Sequence, residues 1–166
     1  LESELFHSGI RPAVNVGLSV SRVGRSAQHA AMRKVSGSLR LDVAQYRDMA
    51  VFAQFGADID ETTSKQLRKG EQLMELLKQQ QTELLSLAEQ VAILVAFSDN
   101  ALQHIAVDEL PACKQALLEY LRRENSHLLA TINTTGKLED SDKAALSNAI
   151  QRFAAAYGEK ADAEHK

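Results

Sequence analysis

The side chains with the clearest chemical potential are two arginines in one glycine-containing stretch. The stretch Gly9–Gly24 reads GIRPAVNVGLSVSRVG and holds Arg11 and Arg22. Its glycine, proline, serine and asparagine residues favour a loop. Apolar residues alternate with small or polar ones at Val14, Val16, Leu18 and Val20. This alternation is compatible with a short edge strand, which stays an alternative to the loop. A guanidinium here could bind a phosphate or pair with a surface carboxylate, and spacing alone does not decide between them.

Other reactive side chains are few or scattered. The histidines have no ligand-like spacing and stand at His7, His29, His104, His127 and His165. Cys113 lies on the apolar face of a predicted helix and is predicted to be a buried, inert thiol. Asp58, Asp60 and Glu61 are explained more simply as helix caps than as a cation site, so no metal site is predicted. From composition alone, Gln79–Gln81 is a polar helix end.

Composition and charge limit the classes of protein to which the chain can belong. The chain has 166 residues, 45% of them hydrophobic, and a formal net charge of -3, which fits one globular domain and gives no nucleic-acid footprint. A single cysteine excludes an internal disulfide and fits a reducing compartment. The apolar run Val91–Phe97 is too short to cross a membrane, so any membrane link is expected through partners. Because the chain begins at Leu1, we expect a piece of a longer protein.

Helical spacing of apolar residues begins near Ser26. It predicts one long helix from Ser26 to Phe55–Gly56, with Gly37 as a weak position inside it. Asp58 with Glu61 resembles a capping box and predicts a second helix that ends near Gln79.

A second capping box is predicted at Ser86 with Glu89, ahead of the run VAILVAF. That run is predicted to be the most buried helix, although periodicity leaves a buried strand open. Asp108 is predicted to cap the next helix, with Pro111 in its first turn.

Two helices are predicted near the carboxyl end of the chain. The first is short, covers residues 126–133 and ends at Gly136. The second starts at Ser141 or Glu139 and ends at Gly158, and residues 159–166 are predicted to fray. The predicted fold is therefore all-α, a bundle of about six helices preceded by a short loop or edge-strand segment.

The stretch GIRPAVNVGLSVSRVG closely resembles the alpha subunit of the rotary proton-translocating ATP synthase. The resemblance continues through residues 26–41, AQYRDMAVFAQFGADID at 44–60 and LRKGEQLMELLKQQQ at 67–81, and it thins after about residue 98. It implies three parts. Residues 1–25 are the C-terminal edge of a nucleotide-binding domain with an arginine-finger loop, 26–158 are the C-terminal helical domain, and 159–166 are the tail.

The resemblance also implies roles for individual residues. Arg22 reaches the neighbouring beta chain as an arginine finger on the terminal phosphate, with Ser21 in support. Fingers of this kind contribute about 10³–10⁵-fold in rate. An adenine pocket in the alpha chain's own nucleotide site falls on Arg11, Pro12, Gln79 and Gln81. There the subunit holds ATP or ADP with magnesium and does not turn it over. Gln80 stands where relatives often carry Gly or Lys.

The implied partners are the beta subunits, the gamma subunit of the central stalk and the delta subunit of the peripheral stalk. The implied activity is ATP synthesis and hydrolysis coupled to proton transport. It takes place in a peripheral complex on the cytoplasmic face of the bacterial inner membrane, or on an organellar inner membrane, without direct membrane insertion.

Two other interpretations stay open. Since no phosphate loop occurs in the chain, the isolated chain is expected neither to hydrolyse ATP nor to bind it tightly, and a folded but inert piece is compatible with the alpha-subunit interpretation. The alternative from another class is a stand-alone helical interaction module without a nucleotide role.

Overall fold

The structure, a computed structural model, describes residues 1–16, 18–19, 21, 23–54 and 60–164. Within these ranges the chain forms nine helices joined by loops, with no strand, which confirms the all-α class. The helices are α1 (Ser3–His7), α2 (Gly24–Ala27), α3 (Ala30–Val35), α4 (Leu39–Gln54), α5 (Glu61–Leu76), α6 (Leu87–Ser98), α7 (Leu110–Glu124), α8 (Ser126–Thr135) and α9 (Asp140–Glu164). None of the helices in the described ranges is long and apolar enough to cross a membrane.

The predicted long helix from Ser26 is wrong, because the chain breaks twice within it. Gln28 and His29 are extended, with ψ of 145° and 147°, and they separate α2 from α3. Ser36–Gly37–Ser38 then separates α3 from α4. The serines and glycine are poor helix formers, and with the two breaks the three helices α2, α3 and α4 replace one. The predicted end at Phe55–Gly56 lies outside the described residues.

The predicted edge strand is a loop where it is described. Val14 and Val16 lie outside any helix or strand, as does Leu18, and Val20 is not among the described residues. The local bonds are those of turns, since the Val14 N–H donates to Pro12 O at 2.8 Å and the Ser19 N–H to Asn15 O at 2.9 Å. The alternation of apolar residues therefore has no strand partner within the described part of the chain.

Helix α6 is the centre of the fold. All residues of Val91–Phe97 are buried, and α6 packs against α3, α8 and α9. The predicted capping box at its start is confirmed. The Ser86 Oγ accepts from the Glu89 N–H at 3.4 Å, and the Glu89 Oε2 accepts from the Ser86 N–H at 2.7 Å. These two bonds satisfy amide groups that the first helical turn leaves without a partner, and the strand alternative is wrong.

Most of the remaining core comes from the helices that follow α4, with Val43 of α4 and Ala31 of α3 adding to it. Helix α5 packs against α4 and α7, and α9 packs against α6 and α7. Among the largest fully buried side chains are Leu73, Leu110, Leu117, Leu118, Leu121, Ile132, Leu146 and Ile150. They lie at helical spacing along α5, α7, α8 and α9, so each helix turns one apolar face inward.

Two predicted caps are displaced. The N-cap of α5 is Asp60, whose Oδ1 accepts from the Thr63 N–H at 2.7 Å, and the predicted Asp58 lies outside the described residues. The N-cap position of α7 is Glu109, not Asp108, and no side chain caps it. A turn in which the Glu109 N–H bonds to Ala106 O delays the helix start. Pro111 does lie in the first turn, as predicted.

The last two helices agree with the predictions at three of four ends. Helix α8 ends at Gly136, whose φ of 65° suits glycine. Helix α9 starts beside Glu139, whose carbonyl accepts from the Lys143 N–H at 2.9 Å. The predicted end at Gly158 is wrong, because α9 continues to Glu164. A glycine costs a helix only about 1 kcal/mol, and alanines precede it. Fraying of 159–166 stays a prediction.

The capping carboxylate Glu89 also pairs with Arg122 of α7, at 2.6 Å from the Nε. Burial raises the pKa of Glu89, but hydrogen bonds from the Ser86 N–H and from Arg122 lower it by more, so the carboxyl titrates below its ordinary value of 4.5. Since the folded pKa lies below the unfolded one, the stabilisation is complete above the unfolded pKa and is lost as pH falls through the folded pKa.

We expect Glu89→Gln to lower the free energy of unfolding by about 1–2 kcal/mol at pH 7, because charged hydrogen bonds are lost. The difference from the wild type should shrink at pH 3, because that pH lies below the ordinary pKa of 4.5 and a larger fraction of the carboxyl is protonated there than at pH 7. Denaturant unfolding at both pH values measures it. Glu124→Gln, at the exposed pair with Arg123, is the control and should change stability little at either pH. An equal loss for Glu89→Gln at both pH values would contradict this account.

Candidate functional site

The structure brings the Arg11–Pro12 pair next to the glutamines that follow α5. We call residues 77–86, between α5 and α6, the glutamine loop. The Gln79 N–H donates to Arg11 O at 2.8 Å. This backbone bond joins two sequence-distant segments without depending on any side chain, so the position of one segment determines the position of the other.

The first sixteen residues are held against the bundle by a chain of polar contacts. The Glu2 N–H donates to Ala13 O at 2.9 Å, which folds α1 back on the segment around Pro12. Asn15 Nδ2 donates to Glu2 Oε1 at 2.7 Å, and Arg47 Nη1 of α4 donates to Asn15 Oδ1 at 2.6 Å. The Arg11–Pro12 pair is therefore anchored both to the glutamine loop and to α4.

A groove of about 890 Å³ lies between residues 1–13 and the glutamine loop. One side carries Phe6, Arg11 and Pro12, and the other carries the three glutamines 79–81 and the exposed Leu84. The Arg11 guanidinium lies over the Phe6 ring, 4.3 Å from its centroid, a cation–π contact that orients it. The groove combines flat apolar surfaces with amide donors and acceptors, which suits a planar ligand with a polar edge.

The glutamine loop is held in shape by Glu83. Gln79 Nε2 donates to Glu83 O at 2.5 Å. The Gln80 N–H donates to Glu83 Oε2 at 3.2 Å, and the Glu83 N–H donates back to Gln80 O at 3.0 Å. The Gln81 side chain is exposed at the groove. The structure thus places four predicted site residues, Arg11, Pro12, Gln79 and Gln81, around one groove.

Comparison with known proteins identifies the family. The family model described as ATP synthase alpha/beta chain, C terminal domain, matches residues 28–153. The chain belongs to this ATP synthase family. It is also 47% identical, over 153 residues, to the ATP synthase subunit alpha of Dichelobacter nodosus (strain VCS1703A). That match covers 92% of this chain and 30% of the relative, so the chain spans about a third of the relative's length. The predicted resemblance is confirmed.

The other predicted residues of the ATP synthase motif are placed only in part. Arg22 lies outside the described residues. The Ser21 Oγ accepts from the Gly24 N–H at 2.9 Å, so this serine holds the turn that leads into α2. Within the described residues, no three His, Cys, Asp or Glu side chains lie close enough together to hold a metal ion.

Sequence reasoning missed one residue of this ATP synthase helical domain that bears on the groove. Lys114 of α7 is 6% exposed, and its Nζ donates to Lys78 O at 2.7 Å. A signal was available in the sequence. Lys114 is four residues after Leu110 and three before Leu117, inside the apolar face of α7. A charged residue at such a position needs a buried partner.

Cys113 is buried, as predicted, with no exposed surface. Burial, with a smaller effect of Glu109, raises the pKa of its thiol to about 12. Because the thiolate is the reactive form, we expect the folded chain to react with an aromatic disulfide reagent at pH 8 at least 10²-fold more slowly, in rough terms, than the unfolded chain. Absorbance of the released thiolate measures both rates. Comparable rates for the folded and unfolded chains would contradict the burial of this thiol.

Proposed function

We propose that this chain acts as the C-terminal part of an ATP synthase alpha subunit, which binds ATP or ADP with magnesium without turning it over. In this role it supports ATP synthesis and hydrolysis at the interface with a beta subunit, coupled to proton transport. The observation that carries the proposal is the bond between the Gln79 N–H and Arg11 O. It holds the two halves of the predicted adenine pocket on either side of one groove.

The residues around the groove fit an adenine. Pro12 and Phe6 offer apolar surface for the faces of the base, and the Gln79 and Gln81 amides offer a donor and an acceptor for its edge. Arg11, oriented over Phe6, adds positive charge on the same side. A bound nucleotide brings its phosphates and magnesium, and we place their ligands in residues outside this chain.

The proposed role of Arg22 is in a different site, on the neighbouring beta chain. Phosphoryl transfer spreads negative charge over the equatorial oxygens of the transferred group, and a guanidinium supplied across an interface stabilises that charge. The planar, permanently charged fork of arginine suits this role better than lysine does. Support comes from the SVSRVG motif and from Ser21, whose bond to the Gly24 N–H stabilises the neighbouring turn.

The proposed partners are the beta subunits, the gamma subunit of the central stalk and the delta subunit of the peripheral stalk, in a peripheral complex on the cytoplasmic face of the bacterial inner membrane. The surface of α4 supports assembly with another chain. Leu41 and Phe52 are 60% and 70% exposed. They lie about three helical turns apart and therefore on one face of α4, and the neighbouring Val51 is a further exposed apolar residue of this helix.

The double variant Gln79→Leu with Gln81→Leu, in the assembled complex, tests the proposal. We expect the affinity of the sites that hold ATP without turning it over to fall by about tenfold, since two polar contacts to the base edge are lost. Equilibrium titration of the nucleotide-depleted complex measures it. Gln66→Leu, at an exposed position on α5, is the matched control and should bind as the wild type. Unchanged affinity in the double variant would overturn the adenine-pocket assignment.

A further inference from the structure

Lys114 is a buried cation next to the loop that carries the groove glutamines. Its side chain is only 7% exposed, and that of Glu83, the carboxylate nearest to it, is 14% exposed. Taking an ammonium group out of water is unfavourable unless charged and polar partners surround it. A hydrophobic residue at this position in α7 would avoid that cost, so the partners of Lys114 indicate what the charge does.

Those partners belong to the glutamine loop. The Nζ donates to Lys78 O at 2.7 Å and lies 3.6 Å from Glu83 Oε1. Gln115, the next residue of α7, donates from Nε2 to the same Oε1 at 3.0 Å. One turn of α7 therefore contacts the loop at two points, one immediately before Gln79 and one shortly after Gln81.

The two contact points bracket the glutamines that line the groove. Lys78 O belongs to the peptide that leads into Gln79, whose own N–H bonds to Arg11 O. Glu83 bonds to the Gln79 side chain through its carbonyl and to the Gln80 N–H through its carboxylate. A displaced Glu83 carboxylate or Lys78 carbonyl would therefore shift the glutamines relative to Pro12.

We propose that Lys114 is a positioning residue for the base-binding groove, which holds the glutamine loop at the distance from Arg11–Pro12 that an adenine requires. It touches no ligand itself and acts through Lys78 O and Glu83. The inference rests on the proposed nucleotide-binding function. Preorganisation of this kind raises affinity, because a loop that is already ordered loses no further conformational entropy when the ligand binds.

The test is Lys114→Met in the assembled complex, which keeps an unbranched side chain only one atom shorter than lysine and removes the charge. We expect the affinity for ATP of the sites that do not turn it over to fall by about tenfold, with the affinity of the turnover sites unchanged. Lys114→Arg, which can reach both partners, should restore at least a third of the lost affinity, as a rough figure. Lys65→Met, at an exposed i,i+4 pair with Glu61, is the matched control.

The ATP affinity of the turnover sites distinguishes a positioning role of Lys114 from a merely structural one. If Lys114→Met weakens both classes of site equally, or leaves the sites without turnover at wild-type affinity, the inference is wrong. If that variant does not assemble, Lys114→Gln takes its place, since its shorter, uncharged amide cannot replace the ammonium group between both partners and should show the same selective loss. Insensitivity to the Gln79 and Gln81 substitutions would overturn the proposed function, whereas insensitivity to Lys114 substitutions alone would overturn only this inference.

Discussion

Replacement of Arg22 by alanine is expected to lower multisite ATP turnover by the assembled complex by about 10³-fold or more. The guanidinium is proposed to act only when charge develops on the transferred phosphoryl group, so its loss removes stabilisation of the transition state and leaves ground-state binding largely intact. Steady-state turnover at saturating ATP measures the effect, and nucleotide occupancy and subunit composition of the purified complex should match the wild type.

Two further variants sharpen this result. Arg22→Lys keeps the charge but loses the planar fork, and we expect it to recover little of the lost turnover. Arg25→Ala, three residues along the chain at an exposed position of α2, should stay within a few-fold of the wild type. Turnover by Arg22→Ala within a few-fold of normal would show that this arginine is not a finger.

Gly70→Ala is expected to lower the free energy of unfolding by up to about 2 kcal/mol, since overpacking costs about 1–3 kcal/mol and the gain in helix propensity returns about 1 kcal/mol. Gly70 lies on α5 where it packs against α4, and a Cβ there would overlap Cδ2 of the Tyr46 ring and come 2.5 Å from Cβ of Tyr46. Such contacts force the tyrosine ring or one of the helices to move.

Gly158→Ala is the matched control, since it lies inside α9 and an added Cβ meets nothing within 4 Å. That substitution should raise the free energy of unfolding by up to about 1 kcal/mol. Denaturant unfolding of the chain, followed by far-ultraviolet circular dichroism, measures both. If Gly70→Ala were as stable as Gly158→Ala, the close approach of α4 and α5 would be wrong.

The features that the sequence predicts correctly depend on residues close together in the chain. Ser86 with Glu89 specifies the start of α6 through bonds within one helical turn, and Gly136 ends α8 because its left-handed backbone suits glycine. The apolar run Val91–Phe97 predicts burial on every side, and α6 is the centre of the fold. In each case the physical cause lies within about one turn of the residue that signals it.

The features that the sequence does not predict depend on contacts between distant segments, or on a close balance between local tendencies that favour different structures. The contact of Lys114 with Glu83 joins α7 to the glutamine loop, and no local pattern specifies that pairing. The contact of Arg11 with Gln79 also joins distant segments, and only the family resemblance pointed to it. Ser36–Gly37–Ser38 is a case of close competition, where apolar spacing favours one helix and weak helix formers favour a break.

A structure of the assembled complex with bound magnesium and ATP would show directly whether Arg22 and the groove contact two different nucleotides. We expect Arg22 to reach across a subunit interface to within about 3 Å of the terminal phosphate oxygens of a nucleotide on a beta chain. We also expect the base of a different nucleotide to lie between Pro12 and the amides of Gln79 and Gln81. A complex in which Arg22 faces no phosphate, and in which no base enters the groove, would contradict both the finger role of Arg22 and the adenine-pocket assignment.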